Sequence, residues 1–106
     1  MVKSMVRYTT PTFTLTLPDT VDLTLASNVY VTFAKTNIGV VVTKTGDALE
    51  ISAHQVDVYL NQEETGSFST GAVKIQINWT YANGERACTD IATVDITPNL
   101  LDEVVL

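Results

Sequence analysis

The sequence predicts an all-β fold: an antiparallel β-sandwich of immunoglobulin-like type with about seven strands. Apolar and polar residues alternate with a period of two along most of the chain, as in strands that bury one face. Threonine and valine are the commonest residues, at 17 and 14 positions, and β-branched side chains favour the pleated backbone. A chain of 106 residues suits one core, so we expect a single domain over residues 1–106.

The first strand is expected to follow a flexible N-terminal arm, residues 1–10. One face of residues 12–17 is apolar, and the other face carries Thr12, Thr14 and Thr16. A strand with a fully polar, threonine-rich face is typical of a solvent-exposed sheet edge. We therefore predict an edge strand whose free N–H and C=O groups are able to pair with a neighbouring subunit.

Four more short strands are predicted before residue 61. The alternation covers residues 28–33, 38–44, 49–51 and 56–60, and turn-forming residues separate these runs. Tyr30 and Tyr59 alternate with the apolar residues of their own strands and are expected to be exposed. The polar segment 61–71 is predicted to be a loop that Phe68, its one large apolar residue, anchors to the sandwich.

Residues 72–97 are predicted to form one hairpin, because Asn83 and Gly84 favour the positive φ angles of a two-residue type I′ turn. The register that follows pairs Val73 with Val94, Ile75 with Ala92, Trp79 with Cys88 and Tyr81 with Arg86. The alternation places Trp79 in the core.

One pair in this register does not fit a buried face. Ile77 would lie opposite Asp90, and Ile91 would fall on the polar side of its strand. Either a β-bulge lies near Asp90 or Ile91 covers apolar surface on the other face, and of the two we favour the bulge.

The C-terminal segment, residues 98–106, is apolar for a chain end. Its large side chains include Leu100, Leu101, Val104 and Val105. One helical turn and an added strand both fit the pattern. Apolar side chains of this kind are usually covered, and packing on the same sandwich and packing on a neighbouring subunit are equally open alternatives.

The charge balance argues against nucleic acid and membrane partners. Six Lys and Arg residues are scattered among twelve acids, for a net charge of −6, whereas phosphate and anionic lipid surfaces attract clustered cations. No apolar stretch approaches the roughly 20 residues that span a bilayer. The N-terminus lacks the apolar region of a signal peptide, so we do not expect secretion by that route. The single cysteine suits a reducing compartment.

No group of residues indicates an active site, so we expect no catalytic residue, metal or cofactor. His54 has no local signature of a nucleophile and an acid beside it, and we interpret it as a surface turn residue. Cys88, opposite Trp79, is interpreted as a buried small apolar residue. The loop acids lack the spacing of a calcium loop and are interpreted as solvated charges; they are Asp19, Asp22, Asp47, Glu63 and Glu64.

The order of several segments resembles a known family. FTLTLP (13–18), VDLTLASNVYVTF (21–33), VYLNQEET (58–65) and GAVKIQINWTYANG (71–84) resemble small proteins encoded in the tail and baseplate regions of prophages of Gram-positive bacteria. Over residues 12–97 the plan is similar to the N-terminal immunoglobulin-like domain of phage baseplate upper proteins. Those proteins continue into helical and receptor-binding-protein-anchoring parts that this sequence lacks. The resemblance implies a non-enzymatic virion or assembly component, and it supplies no catalytic residues.

We therefore expect a structural or assembly protein of a phage tail, baseplate or neck, present in the bacterial cytoplasm during assembly and then in the virion. Its partners would be other phage structural proteins or further copies of itself. The candidate contact residues are Thr12, Thr14, Thr16, Tyr30, Tyr59, Leu100, Leu101, Val104 and Val105. The alternative is a small carbohydrate- or ligand-binding module, which would be favoured if Tyr30 and Tyr59 lie together on one exposed sheet.

Overall fold

The computed structural model describes residues 4–35 and 40–106, which form two packed sheets. The strands are β1 (Ser4–Val6), β2 (Thr12–Thr16), β3 (Asn28–Lys35), β4 (Val40–Thr45), β5 (Leu49–Ser52), β6 (Gln55–Tyr59), β7 (Gly71–Thr80), β8 (Arg86–Cys88) and β9 (Ala92–Thr97). The described residues also contain an α-helix, α1 (Gln62–Ser67), and two short 3₁₀ turns, Leu23–Leu25 and Gly46–Ala48. Residues 38 and 39, where the predicted third strand begins, lie outside the described residues.

The connectivity is that of an immunoglobulin-like sandwich, which confirms the predicted fold class. Sheet A has the order β1-β9-β7-β3-β4, with β8 also paired to β7, and sheet B has the order β2-β6-β5. Strands β2, β6 and β5 hold the positions of B, E and D, and β9, β7, β3 and β4 those of G, F, C and C′. The described residues form nine strands in place of about seven, because β1 joins sheet A and the last predicted strand is divided into β8 and β9.

The core lies between the two sheets and is built by alternate side chains. The rings of Phe13 from β2 and Phe33 from β3 meet across it, with centroids 5.8 Å apart. Trp79 is buried, as predicted, with 3% of its surface exposed. Its indole N–H donates to the hydroxyl of Tyr81 at 2.9 Å, so the one polar atom of the ring is satisfied.

The hairpin turns through three residues, so the predicted two-residue type I′ turn is wrong. The Gly84 N–H donates to the Tyr81 carbonyl at 3.0 Å, and the Tyr81 N–H donates to the Glu85 carbonyl at 2.9 Å. Gly84 has a φ of 89°, whereas Asn83 has no positive φ, as in a type I turn closed by a left-handed glycine. The extra loop residue shifts β8 by one position, and the pairs become Thr80 with Arg86, Trp79 with Ala87 and Asn78 with Cys88.

A β-bulge near Asp90 restores the predicted register, as expected. Three residues lie between Cys88 and Ala92, against two on β7 between their partners. The Thr89 N–H donates to the Ile77 carbonyl at 2.9 Å, and the Ile77 N–H donates to the Thr89 hydroxyl at 3.1 Å. Beyond the bulge the predicted pairs are present, Ile75 with Ala92 and Val73 with Val94.

The predicted flexible arm is wrong for residues 4–9, and residues 1–3 lie outside the described part. Strand β1 pairs in parallel with β9, and Met5 is buried. The Arg7 N–H donates to the Thr97 carbonyl at 3.0 Å, and the buried Thr65 hydroxyl donates to the Thr9 carbonyl at 2.8 Å. These bonds fix the segment to sheet A and to α1.

The segment predicted as a polar loop contains α1. A capping box starts this helix, since Asn61 accepts from the Glu64 N–H and Glu64 accepts from the Asn61 N–H, both at 2.9 Å. Glu64 also pairs with Lys44 of β4 at 2.6 Å. Phe68, which ends the helix, is fully buried, so its predicted role as an anchor is confirmed.

Candidate interaction surface

Strand β2 has a free edge, as the sequence predicted. Among the described residues its one sheet neighbour is β6. The Leu17 N–H donates to the His54 carbonyl at 2.8 Å, and the Leu60 N–H donates to the Pro11 carbonyl at 3.1 Å. Because antiparallel ladders alternate, the even-numbered residues of β2 direct their N–H and C=O groups away from β6. They are Thr12, Thr14 and Thr16.

A groove of about 420 Å³ lies beside this edge, between the two sheets. Leu15, Ile75 and Ile77 form its apolar part, and Thr89 and Asp90 of the bulge lie at its rim. The groove arises because sheet B ends at β2, whereas sheet A continues past β7 to β8 and β9. An unpaired backbone edge therefore borders an apolar cleft.

Sheet B also differs from sheet A in charge. Glu50 and Asp57 lie directly opposite each other on β5 and β6, and the three strands of sheet B contain no Lys or Arg. The Thr14 hydroxyl donates to the Asp57 carboxylate at 2.8 Å. The cations in strands belong to sheet A, namely Lys35, Lys44, Lys74 and Arg86. The surface next to the β2 edge is therefore acidic.

The C-terminal segment, residues 98–106, forms neither a strand nor a helical turn, so both predicted elements are wrong. Side-chain hydrogen bonds hold it on the sandwich instead. The Gln62 amide donates to the Val105 carbonyl at 2.9 Å and accepts from the Val105 N–H at 2.8 Å. Arg7 binds both carboxylate oxygens of Asp102, at 2.6 and 2.7 Å. The Asn99 amide donates to the Arg7 carbonyl at 3.0 Å.

The apolar side chains of this segment face solvent. Leu100 and Leu106 are fully exposed, and 43–56% of the surface of Leu101, Val104 and Val105 is exposed. Each of the two alternatives therefore holds for one part of the segment. The segment lies on its own sandwich, but its apolar side chains remain available for a neighbouring subunit.

Arg7 joins three parts of the molecule, a role that the sequence did not indicate. Beside its bonds to Asp102, it donates to the carbonyls of Phe68 at 2.9 Å and Gly66 at 2.8 Å. Its guanidinium lies 5.1 Å from the centroid of the Tyr8 ring, within cation–π range. These partners are distant in sequence, so no local pattern marks the arginine.

His54 lies in the turn between β5 and β6, as predicted, and is half-buried. Its Nδ1–H donates to the Val21 carbonyl at 2.5 Å, so the ring ties the turn to the loop before β3. Within residues 4–35 and 40–106, no three His, Cys, Asp or Glu side chains converge as metal ligands would.

Cys88 is exposed, so its predicted burial is wrong. The one-residue shift at the hairpin loop pairs it with Asn78 instead of Trp79. Neighbouring strand positions face opposite sides of a sheet. The shift therefore turns the thiol outward and places Ala87 opposite the tryptophan.

Asp22 caps the 3₁₀ turn Leu23–Leu25. Its carboxylate accepts from the Thr24 hydroxyl at 2.5 Å and from the Thr24 N–H at 2.9 Å. These two bonds lower the pKa of Asp22 below its ordinary value and outweigh the opposing effect of desolvation, and His54 contributes in the same direction as the bonds. The carboxylate serves the local turn.

The two candidate tyrosines lie on different sheets. Tyr30 belongs to β3 of sheet A and is half-buried, and Tyr59 belongs to β6 of sheet B and is half-exposed. A binding platform that requires both rings on one sheet is therefore not formed by these residues.

No protein-family model matches the chain, and neither a curated protein nor a solved structure matches it. Among the described residues, no helix is both long and apolar enough to cross a membrane. The fold and the surface therefore define the class, an immunoglobulin-like β-sandwich with an open edge strand and an outward-facing apolar segment.

Proposed function

We propose that this chain is a non-enzymatic structural or assembly protein that acts through protein–protein contacts. The observation that carries the proposal is the C-terminal segment, which Gln62 and Arg7 hold against the sandwich while its leucines and valines face outward. Adjacent exposed apolar residues of this kind mark interaction surfaces. Burying them against a neighbouring subunit would contribute roughly 25 cal/mol for each Å² removed from water.

The contact that we propose for this segment is with a second copy of the chain. Leu100, Leu101 and Val104 are exposed and would supply the apolar centre of this contact, and the exposed Glu103 beside them in sequence would belong to its rim. An apolar centre with a polar rim is the usual anatomy of a subunit interface. Most oligomeric proteins are symmetric assemblies of identical subunits, so a second copy of the chain is the simplest partner.

A phage tail, baseplate or neck is the setting that we propose for this assembly. The resemblance of residues 12–97 to the immunoglobulin-like domain of baseplate upper proteins supports it, and other structural proteins of the particle would then be further partners. The protein would be present in the bacterial cytoplasm during assembly and afterwards in the virion. Tail, holin or lysin genes on either side of this gene would support the setting, and metabolic genes would contradict it.

Light scattering after size exclusion tests the self-contact. We expect the mass of the wild-type protein to rise from monomer toward dimer or a larger oligomer with concentration, and Leu101→Ser with Val104→Ser to remain monomeric. The matched control is Leu25→Ser, an exposed leucine (71%) outside the segment, which should associate like the wild type. A wild-type protein that is monomeric up to about 1 mM would contradict self-assembly. A dissociation constant above that concentration corresponds to a binding free energy of less than ~4 kcal/mol.

A further inference from the structure

The second surface, the free edge of β2, offers a different kind of binding. Immunoglobulin-like sandwiches often carry a fourth strand, A, beside strand B in the sheet of B, E and D. Here the strand that precedes B is β1, and it lies in sheet A against β9. No described strand takes the place beside β2.

The backbone of this edge is prepared for pairing. Thr12, Thr14 and Thr16 direct their N–H and C=O groups away from β6, as the ladder from Pro11 to Leu17 requires. A strand that paired with these groups would point alternate side chains inward, toward Leu15, Ile75 and Ile77 in the groove. Aliphatic side chains suit this apolar lining, and the groove volume of about 420 Å³ is comparable with that of ligand pockets, roughly 300–1,000 Å³.

The outward side chains of an added strand would meet acids. Asp57 lies next to Thr14 on the outer face and has Glu50 opposite it, with no cation in the strands of sheet B. Asp90 lies at the rim of the groove. Opposite charges on neighbouring strands stabilise pairing and like charges oppose it. Lysine or arginine is therefore favoured at the outward positions.

We propose that the β2 edge and its groove bind an extended segment of another protein, which adds to sheet B as a fourth strand and alternates aliphatic side chains with lysine or arginine. A second copy's residues 98–106 fit less well, because this segment carries Asp102 and Glu103 and no cation. The site is separate from the self-contact of the C-terminal segment, so each proposal stands or fails alone.

The test uses a fluorescent eight-residue peptide of alternating valine and lysine and measures its anisotropy with the full chain at about 150 mM salt, where surface charges are screened beyond ~8 Å. We expect saturable binding that weakens as salt increases. Alternating valine and glutamate should bind at least about tenfold more weakly, a difference of ~1.4 kcal/mol. A peptide of four valines followed by four lysines should also bind weakly, because it cannot present two faces.

Thr14→Pro tests whether the backbone edge carries the binding. Proline is tolerated on edge strands where the N–H is unpaired, so the variant should fold, and it should lose about tenfold or more in affinity. The matched control is Ile51→Pro on β5, whose N–H also points away from β6 by the same alternation; it should bind like the wild type. Asp57→Asn should weaken binding severalfold and reduce its salt dependence.

Amide hydrogen exchange of the wild-type protein tests backbone pairing at the β2 edge without any substitution. We expect the amides of Thr14 and Thr16 to exchange rapidly in the free protein and to be protected when the valine–lysine peptide is bound. Equal binding by Thr14→Pro, or unchanged exchange at these amides, would show electrostatic adhesion only and overturn the proposal. Preferential binding of a peptide of residues 98–106 at this edge would overturn the proposed partner chemistry.

Discussion

The two segments that flank the sandwich, residues 4–10 and 98–106, contact each other and are held in opposite ways. The first contributes a backbone-paired strand and buries Met5, which is 4% exposed. The second is bound through side chains, and its Leu101 is 56% exposed. The second is nevertheless the more apolar in sequence, with five Leu or Val among nine residues, against Met, Val and Tyr among the seven of the first. Backbone pairing, and not apolar composition, therefore decides which segment joins the core.

The difference has a local cause at the end of β9. Pro98 has no N–H to continue the ladder, so the chain leaves sheet A there. Asp102 then meets Arg7, and the reciprocal bonds of Gln62 fix Val105. These polar contacts orient the segment without covering its apolar side chains.

The largest expected difference between the two segments is in the unfolding free energy that is lost when one apolar side chain of each is shortened to alanine. Met5→Ala removes most of a buried side chain and should cost about 2–5 kcal/mol of unfolding free energy. Leu101→Ala, the matched change in the other segment, should remain within about 0.5 kcal/mol. Urea unfolding of the monomer measures both. Similar losses for the two variants would refute the contrast.

The next effect concerns how tightly the first segment packs on α1. Alanine is favoured over glycine in a helix by roughly 1 kcal/mol, yet a Cβ at Gly66 would overlap the ring of Tyr8. We expect Gly66→Ala to destabilise the protein by about 1–3 kcal/mol, as overpacking does. The sign is the test, because an unhindered helix position would gain stability.

A double-mutant cycle with Tyr8→Ala isolates that contact. In the Tyr8→Ala background the overlap is absent, so Gly66→Ala should be neutral or stabilising. A penalty that persists there would place the strain elsewhere than the Tyr8 ring and show that residues 4–10 pack more loosely on the helix.

The alternation of side chains was enough to predict the sandwich and its core. It was not enough to predict the length of the hairpin loop, and therefore the register of β8. Asn83 and Gly84 suit both a two-residue loop and a three-residue loop closed by glycine, and the sequence does not show whether Ala82 belongs to the strand or to the loop. The mismatch of Ile77 with Asp90 was a usable signal and located the bulge. The position of Cys88 depended on the loop, so it was predicted on the wrong face.

The flanking segments were harder to predict than the hairpin. Strand β1 has three residues, and its partner β9 is about ninety positions away in sequence, so no period indicates the pair. The contacts of Arg7 with Gly66 and Asp102 are also long-range. By contrast, the start of α1 carried a readable signal, because Asn61 and Glu64 have the spacing of a capping box.

The smallest expected effect tests how the second segment is held. Gln62→Ala removes both bonds to Val105, and since Val105 is exposed, the unfolding free energy should change by less than about 1 kcal/mol. The Val105 amide should nevertheless exchange with solvent several times faster, because it loses its acceptor. The control is Gln62→Glu, which keeps an acceptor for this N–H and should preserve most of the protection. An unchanged exchange rate in Gln62→Ala would mean that the contacts between Arg7, Asn99 and Asp102 are enough to position the segment. The outward direction of Val104 and Val105 would then depend on residues 4–10, and the two segments would not be held independently.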